Sequence, residues 1–319
     1  MRYRPLGRSG LVVSVVGLGL NNVGRSMDAA ATRKTLDAAL DTGVSLLDTA
    51  DVYGSHPGES EEILGEVFGT DRDRFVLATK FGGNMKGVNG PDWDARGSRR
   101  YVRIAVEASL RRLRTDHVDL MQYHKPDGVT PIEETLAALD ELVTAGLVRY
   151  VGSSNLAGWQ VGQADHVATT AGSARFVSAQ NEYSLLDRRA EAELVPACEA
   201  YGVGLLPFYP LANGLLTGKY TRDEPPVTGT RLGDRRRDVY DAAPWDVVEG
   251  LRAYADHRGL SMLDVAIGGL AAQPAVGSVI AGATSADQLR ANAAAGEWEP
   301  DEDDLAELDQ IVTPGACAA

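Results

Sequence analysis

Phe75-Val-Leu-Ala-Thr-Lys80, Ser98-Arg-Arg-Tyr-Val-Arg-Ile-Ala-Val-Glu-Ala-Ser-Leu-Arg-Arg-Leu113 and Val118-Asp-Leu-Met-Gln-Tyr-His124 follow one another in the chain, and their reading decides the fold. The first and third are short apolar runs of strand length. The second spaces its apolar residues three and four apart behind a capping serine, as an amphipathic helix does. A strand, a helix and a strand in that order predict a parallel crossover unit.

The same alternation extends in both directions. Strand-like runs occupy residues 12–20, 44–48, 75–80, 118–123, 148–152, 176–179, 204–208 and 278–281, eight in all. Between them lie helical patterns such as 29–42, 98–113, 132–145, 190–201 and 261–272, with starts marked by Ser98, Asp187 or Ser261 and stops by Gly43, Gly146 or Gly202. Eight such units, in a chain somewhat above the roughly 250 residues typical of the fold, predict an α/β (β/α)8 TIM barrel. No linker divides the chain, so residues 1–319 are expected to form a single barrel domain. Tyr3 to Gly10 followed by Leu11-Val-Val-Ser reads as an N-terminal β-hairpin, turning at Ser9-Gly10 and capping the barrel bottom. Residues 217–246, rich in Gly, Pro and Arg, are too long for an ordinary connection and are expected as a functional loop after strand seven. Gly17, Gly19 and Gly24 only partly resemble a dinucleotide fingerprint, because the third glycine comes too late. Gly17 and Gly19 are instead expected to permit close backbone approach, with ligand contact near Asn21 as the lesser reading.

Composition narrows the function classes. The 319 residues are 44% hydrophobic and 24% charged, a globular composition, and the net charge of -14 argues against a general nucleic-acid binder. No apolar stretch reaches membrane-spanning length, and residues 1–10 carry charges and Pro5 where a signal peptide needs apolar residues, so a cytoplasmic location is expected. Cys198 and Cys317 are expected as plain thiols, and no histidine or cysteine spacing suggests a metal site. The basic segment from Arg231 to Arg237 reads either as a solvated loop or as a seat for an anionic ligand.

Alternate residues of a barrel strand face inward, so a polar residue ending an inward apolar row lies at the mouth. Strand two reads Val44, Leu46, Asp48; strand three Val76, Ala78, Lys80; strand four Val118, Leu120, Gln122, His124. Barrel active sites form at the carboxyl ends of the strands, where Asp48, Lys80 and His124 would converge with Tyr53. A nearby ammonium lowers a phenol pKa, so Lys80, kept charged by Asp48, is expected to tune Tyr53 as a proton donor. A structural ion pair, a rim aromatic and a satisfied histidine explain these residues one at a time. Three adjacent strands breaking pattern at one end favour a site. His56, His117, His166 and His257 are expected to be exposed.

Leu47-Asp-Thr-Ala-Asp-Val-Tyr-Gly54, Thr79-Lys80 and Asp119-Leu-Met-Gln-Tyr-His124 resemble the signature segments of the aldo-keto reductases. The resemblance continues through Gly152-Ser-Ser-Asn155, Gln180-Asn-Glu-Tyr-Ser-Leu185, Pro210-Leu-Ala-Asn-Gly-Leu-Leu-Thr-Gly-Lys-Tyr220 and Gly282-Ala-Thr-Ser285 with Gln288 and Asn292, close to full length. It implies an NADP(H)-dependent oxidoreductase that reduces an aldehyde, ketone or sugar carbonyl by hydride transfer. Tyr53 would protonate the forming alkoxide, supported by Lys80 and Asp48, with His124 orienting the carbonyl.

By the same resemblance Ser154, Asn155 and Gln180 would hold the nicotinamide carboxamide, and Phe208 would stack on its ring with Tyr209 beside it. Leu211, Gly214, Lys219 and Arg231 would follow the cofactor along the loop after strand seven. Gly282, Thr284, Gln288 and Asn292 would form the adenosine-phosphate seat, with backbone N–H groups at a helix start. Many members carry Lys at the position of Gly282, Arg at that of Gln288, and Tyr or Trp at that of Phe208. These departures leave NAD(H) possible. A sugar or alcohol dehydrogenase on the same site is the alternative within this chemistry. Ala95-Arg-Gly-Ser-Arg-Arg-Tyr101 resembles the potassium-channel β-subunit-like branch and keeps a regulatory or redox-sensing subunit as a further alternative. The expected ligand is a small-molecule carbonyl compound; no nucleic-acid, membrane or obligate protein partner is expected. Trp93, Tyr123 and the chain end are candidate pocket walls.

Overall fold

The computed structural model describes residues 1–312. Two short strands, β1 (Tyr3–Pro5) and β2 (Val12–Ser14), pair antiparallel, with Arg4 opposite Val13. Eight further strands close a barrel: β3 (Val16–Gly19), β4 (Leu46–Asp48), β5 (Val76–Phe81), β6 (Val118–Tyr123), β7 (Val148–Ser154), β8 (Phe176–Glu182), β9 (Gly204–Phe208) and β10 (Val279–Gly282). All neighbours are parallel and in chain order, and β10 closes the ring against β3. The chain is therefore a (β/α)8 barrel with an N-terminal hairpin.

The apolar run 12–20 is two strands, not one. Ser14 marks the break: its Oγ donates to the Val16 carbonyl at 2.7 Å and accepts from the Ser45 N–H at 2.9 Å. Residues before it pair with the hairpin and residues after it with the barrel. A hydrophobic run records burial, not which strand it is buried against. The hairpin turn also differs from the expected Ser9-Gly10 turn. It is a wider loop closed by the Leu6 N–H on the Leu11 carbonyl at 2.8 Å, and Gly7 rather than Gly10 takes the positive φ, 57°. A side chain at Gly7 would meet the Gly202 carbonyl at 2.6 Å, so glycine lets the loop lie flat on the barrel. Leu6, Leu11 and Val13 then join Leu46, Ala78, Leu120, Leu206 and Ile280 in the inner core.

A second and larger core lies between the sheet and the helices, and it takes Val44 and Val118, the first residues of two of the inward rows. The helices begin and end much as their capping chemistry dictates. Asp28 and Ser98 accept N–H bonds from Ala31 and Tyr101, and Gly43 and Gly202 end helices in the left-handed region. Asp187 does not start the expected 190–201 helix. Its Oδ1 accepts from the Arg189 N–H at 3.2 Å, where a 3-10 turn, Arg189–Ala192, begins, and the helix runs only Leu194–Tyr201, with Pro196 in its first turn where no intrahelical N–H partner is needed. The 261–272 helix contains a π-turn over Asp264–Gly268, and a side chain at Gly268 would meet Trp298 at 2.8 Å.

The segment 217–246 follows β9, the seventh barrel strand, and has its own packing. Leu216, Leu232, Tyr240 and Val248 are buried together, and the Tyr240 hydroxyl lies 2.8 to 3.0 Å from three carbonyls of residues 221–224. Two short helices, Arg231–Asp234 and Arg237–Asp241, place its cations. Gly17 and Gly19 sit where close approach requires them: a side chain at Gly17 would strike Ile280 at 2.8 Å. Cys198 is buried, and burial pushes its thiol up to about 12; Cys317 lies outside the described residues. Among the described residues no helix is long and apolar enough to cross a membrane, and no cluster of metal-ligating side chains occurs.

Candidate active site

Register brings the ends of the inward rows into one layer. Lys80 lies opposite Gln122 across β5 and β6, and Asp48 ends β4 one strand away. The Lys80 ammonium, fully buried, donates to Asp48 Oδ2 at 2.6 Å, to the Thr49 carbonyl at 2.9 Å and to Tyr53 Oη at 3.4 Å. Its three protons have three acceptors. The other carboxylate oxygen of Asp48 accepts from Gln180 Nε2 at 2.7 Å and Gln122 Nε2 at 3.0 Å. Removing either charge would leave the other buried and unpaired. Burial pulls the Lys80 ammonium pKa down most strongly of any one influence, but Asp48 and Tyr53 together outweigh it and the net direction is upward.

Tyr53 stands on the turn after β4, its N–H bonded to the Ala50 carbonyl at 3.1 Å. The Lys80 ammonium lies 5.0 Å from the ring centroid. Because Lys80 can only donate, the phenol proton is free to point elsewhere, toward the cleft. The expected lowering of the Tyr53 pKa is overturned. Desolvation by burial is the larger effect, and it raises the phenol pKa despite Lys80.

His124 follows β6, held by its N–H on the Phe81 carbonyl at 2.9 Å, with its ring edge-on to Tyr53 at 6.1 Å. Burial, Lys80 and Lys125 together push its imidazole down to about 3, so it is neutral at physiological pH. Its Nδ1 is buried without a partner among the described residues.

These residues face a cleft of about 970 Å³, at the large end of ligand sites and roomy enough for a dinucleotide. Asp48, Tyr53 and His124 line it, as do Ser154, Asn155, Gln180, Phe208, Tyr209, Leu211, Gly214, Lys219, Arg231, Gly282, Thr284, Gln288 and Asn292; Lys80 lies behind them. The polar groups of the expected carboxamide site are bonded within the protein. Ser154 Oγ donates to the Gln180 carbonyl at 2.9 Å, Asn155 Nδ2 to the His124 carbonyl at 2.9 Å, and the Gln180 amide to Asp48.

Phe208 and Tyr209 meet edge to face at 5.1 Å, and the Arg231 guanidinium lies 5.1 Å over the Tyr209 ring. Neither Arg231 nor the exposed Lys219 forms an ion pair among the described residues, although most arginines of the chain do. In the turn after β10 one expected donor is already used: Gln288 Oε1 accepts from the Thr284 N–H at 2.9 Å and from its hydroxyl at 3.0 Å. Asn292 Nδ2 reaches the Gly282 carbonyl at 3.3 Å.

Three expectations fail. Trp93 is 72% exposed, does not line the cleft, and stacks with Arg100 at 4.7 Å. Tyr123 is buried against Phe81 at 5.2 Å, with its hydroxyl accepting from the Asp127 N–H. His117 is mostly buried, its Nδ1 2.7 Å from Asp116. Sequence reading also passed over several residues of the site. Gln122 holds Asp48; its place in an inward row signalled it, but no chemistry was assigned to it. Asn22, Arg25 and Thr230 line the cleft from loops that carry no local signal, and Asp287 does so from the first turn of the Ala286–Ala295 helix; Arg235 joins them from the basic segment singled out above. Asp51, two residues before Tyr53, is fully buried, and neither carboxyl oxygen is hydrogen-bonded to another side chain among the described residues. Burial, then Glu61, raises its pKa well above the usual range.

The sequence profile of the Aldo/keto reductase family matches residues 15–313. An oxidoreductase of Bacillus subtilis, YrpG, is 36% identical over 98% of this chain and 96% of its own length. A probable voltage-gated potassium channel subunit beta of rice is 35% identical over 92% of this chain and 90% of its own. The L-glyceraldehyde 3-phosphate reductase of Escherichia coli K12 is 33% identical over 99% and 93%. A closed barrel with this charged layer at its mouth, matched over nearly its whole length by that profile and by these relatives, belongs to the aldo/keto reductase family.

Proposed function

We propose that the protein is an NADP(H)-dependent reductase of an aldehyde, ketone or sugar carbonyl, with Tyr53 as the general acid. One observation carries the reading: Lys80 spans Asp48 and Tyr53 at the cleft wall while donating to the phenol oxygen, which leaves the phenol proton available to a substrate. The raised pKa of Tyr53 suits this direction of reaction. It keeps the phenol protonated at neutral pH, and Lys80 stabilises the phenolate left after transfer. Neutral His124 donates from Nε2 to the carbonyl oxygen and sets its angle to Tyr53.

A nicotinamide cofactor supplies the hydride when bound. Phe208 offers it a ring face, and Lys219, Arg231 and Arg235 supply cations for its phosphates. These cations favour NADP(H), although Gly282 and Gln288 add no charge; NAD(H) is the competitor. Substrate does not transfer from the relatives, since L-glyceraldehyde 3-phosphate reductase of E. coli and versiconal hemiacetal acetate reductase of Aspergillus parasiticus are named for different compounds. The rice relative favours a second reading, a cofactor-bound regulatory subunit, and turnover separates the two. Fluorescence titration with NADPH and NADH, followed by NADPH oxidation with a panel of aldehydes, is the test. Tight NADPH binding with turnover is expected. Binding without turnover favours the regulatory reading, and no binding rejects both.

A further inference from the structure

The loop between β3 and the Ala29–Thr42 helix is tightly folded. The Asn22 carbonyl accepts from the backbone N–H groups of Arg25, Ser26 and Met27 at 3.0 to 3.1 Å, and Gly24, at φ 77°, donates to the Met27 carbonyl at 2.9 Å. Val23 and Met27 anchor the loop in the core. Arg25 projects from its tip into the cleft wall, and its Nε donates at 2.8 Å to the carbonyl of Gly54, the residue after Tyr53. That bond fixes the guanidinium plane. Among the described residues both Nη groups have no hydrogen-bond partner and Arg25 forms no ion pair. Glu59, the carboxylate packed on Gly24 and Gly54, is taken up by the Ser55 N–H and hydroxyl at 2.5 and 2.6 Å.

Position separates Arg25 from the other cations of the cleft. Lys219, Arg231 and Arg235 come from the segment after β9, on the far side of β10. Asn21 and Asn22, on Arg25's own loop, lie toward Gly282, 3.9 and 3.8 Å from where a side chain there would begin. Arg25 leans the other way, to the Tyr53 turn. A guanidinium held at Nε with two free Nη groups presents a planar fork suited to an oxyanion.

We propose that Arg25 is a specificity residue that selects carbonyl substrates carrying a negative group, a carboxylate or a phosphate. In a chain of net charge -14 such substrates are otherwise disfavoured, so one unpaired cation beside the proton donor has a large share in the choice. The proposal rests on the reductase reading above and adds the substrate class to it.

The test compares kcat/KM for succinic semialdehyde and its neutral methyl ester, and for glycolaldehyde phosphate and glycolaldehyde. The first pair reports a carboxylate and the second a phosphate. The wild type is expected to prefer at least one charged member by about tenfold, mainly through KM, and the preference should shrink between 0.1 and 1 M salt. Arg25→Gln should collapse the ratio, and Arg25→Lys should retain part of it. The Kd for NADPH, read by fluorescence in the same variants, should stay within about twofold of wild type. A weaker NADPH complex with an unchanged substrate ratio would reassign Arg25 to the cofactor and overturn the proposal. Equal losses on charged and neutral members would make it a brace for the Gly54 turn, with the same result. Wild-type turnover of the neutral members without preference for either charged one refutes the substrate class and leaves the reductase standing. Bound NADPH with turnover of none of the four rejects the reductase reading and the proposal together.

Discussion

The two halves of the cleft treat their charges in opposite ways. In the layer around Lys80 the charges are matched within the protein: Lys80 has three acceptors, Asp48 takes bonds from Lys80, Gln122 and Gln180, and these four side chains are buried. Along the segment after β9, Lys219 and Arg231 are solvent-accessible and form no ion pair among the described residues, with Arg231 resting on the Tyr209 ring. The proposed reductase reading gives the contrast a physical reason. A group that stabilises developing charge works best when already oriented, which requires fixed internal partners. A cation meant for a ligand's phosphate must keep its donors free.

Tyr53→Phe breaks the first half most sharply. It removes the transferable proton and leaves the Asp48–Lys80 pair intact, so carbonyl reduction should fall by a hundredfold or more while NADPH affinity holds; near-normal turnover in a steady-state assay would rule Tyr53 out as the acid. Lys80→Met strikes the pair itself. Leaving Asp48 buried without its counter-charge should cost about 3 to 5 kcal/mol of stability, measured by urea unfolding, and an effect under 1 kcal/mol would mean the pair is far better solvated than its burial implies.

Arg231→Ala tests the other half. It should weaken NADPH binding by about tenfold, NADH binding much less, and stability hardly at all. Equal losses for the two cofactors would move the 2′-phosphate elsewhere.

The smallest expected effect concerns Asp51. Its folded pKa is raised, so the unfolded chain releases this proton first, and the stability it contributes is lost as pH rises from the ordinary carboxylate range through the folded value. Asp51→Asn keeps the shape without the titration. It should raise Tm near pH 8 by roughly 2 °C and flatten the pH dependence of stability above pH 4; a lower Tm would show that the ionised carboxylate has a partner. His124 works in the opposite window. With its imidazole pushed down to about 3, the unfolded chain binds the extra proton, and stability falls as pH drops below about 6.5.

The charged layer at the mouth was legible because alternation along a strand is local: Asp48, Lys80 and Gln122 stand out in their own strands, whatever surrounds them. On the far wall loop length and charge marked only the segment 217–246 and its arginines; the single residues there came through resemblance, and the details differ. Gln288 carries no mark in the sequence that its side chain would occupy the Thr284 N–H. Arg25 lies in a loop without periodicity, and only the fold of that loop onto Gly54 brings it beside the Tyr53 turn. Trp93 and Tyr123 show the converse, aromatic residues near the mouth in sequence but turned to solvent and to the core.

The order of strands and helices, the closure into a barrel and the end of the barrel that holds the site were determined by sequence alone, because each rests on spacing and capping within a few residues. Tertiary structure decided the rest. It split the run 12–20 between two sheets, joined Gln180 to Asp48 across 132 positions, and set the direction of the Tyr53 pKa against the local expectation. Desolvation sums over every element packed around a group, and a hydrogen-bond partner is chosen among all groups within reach in space. Neither quantity is carried by the neighbours of a residue along the chain.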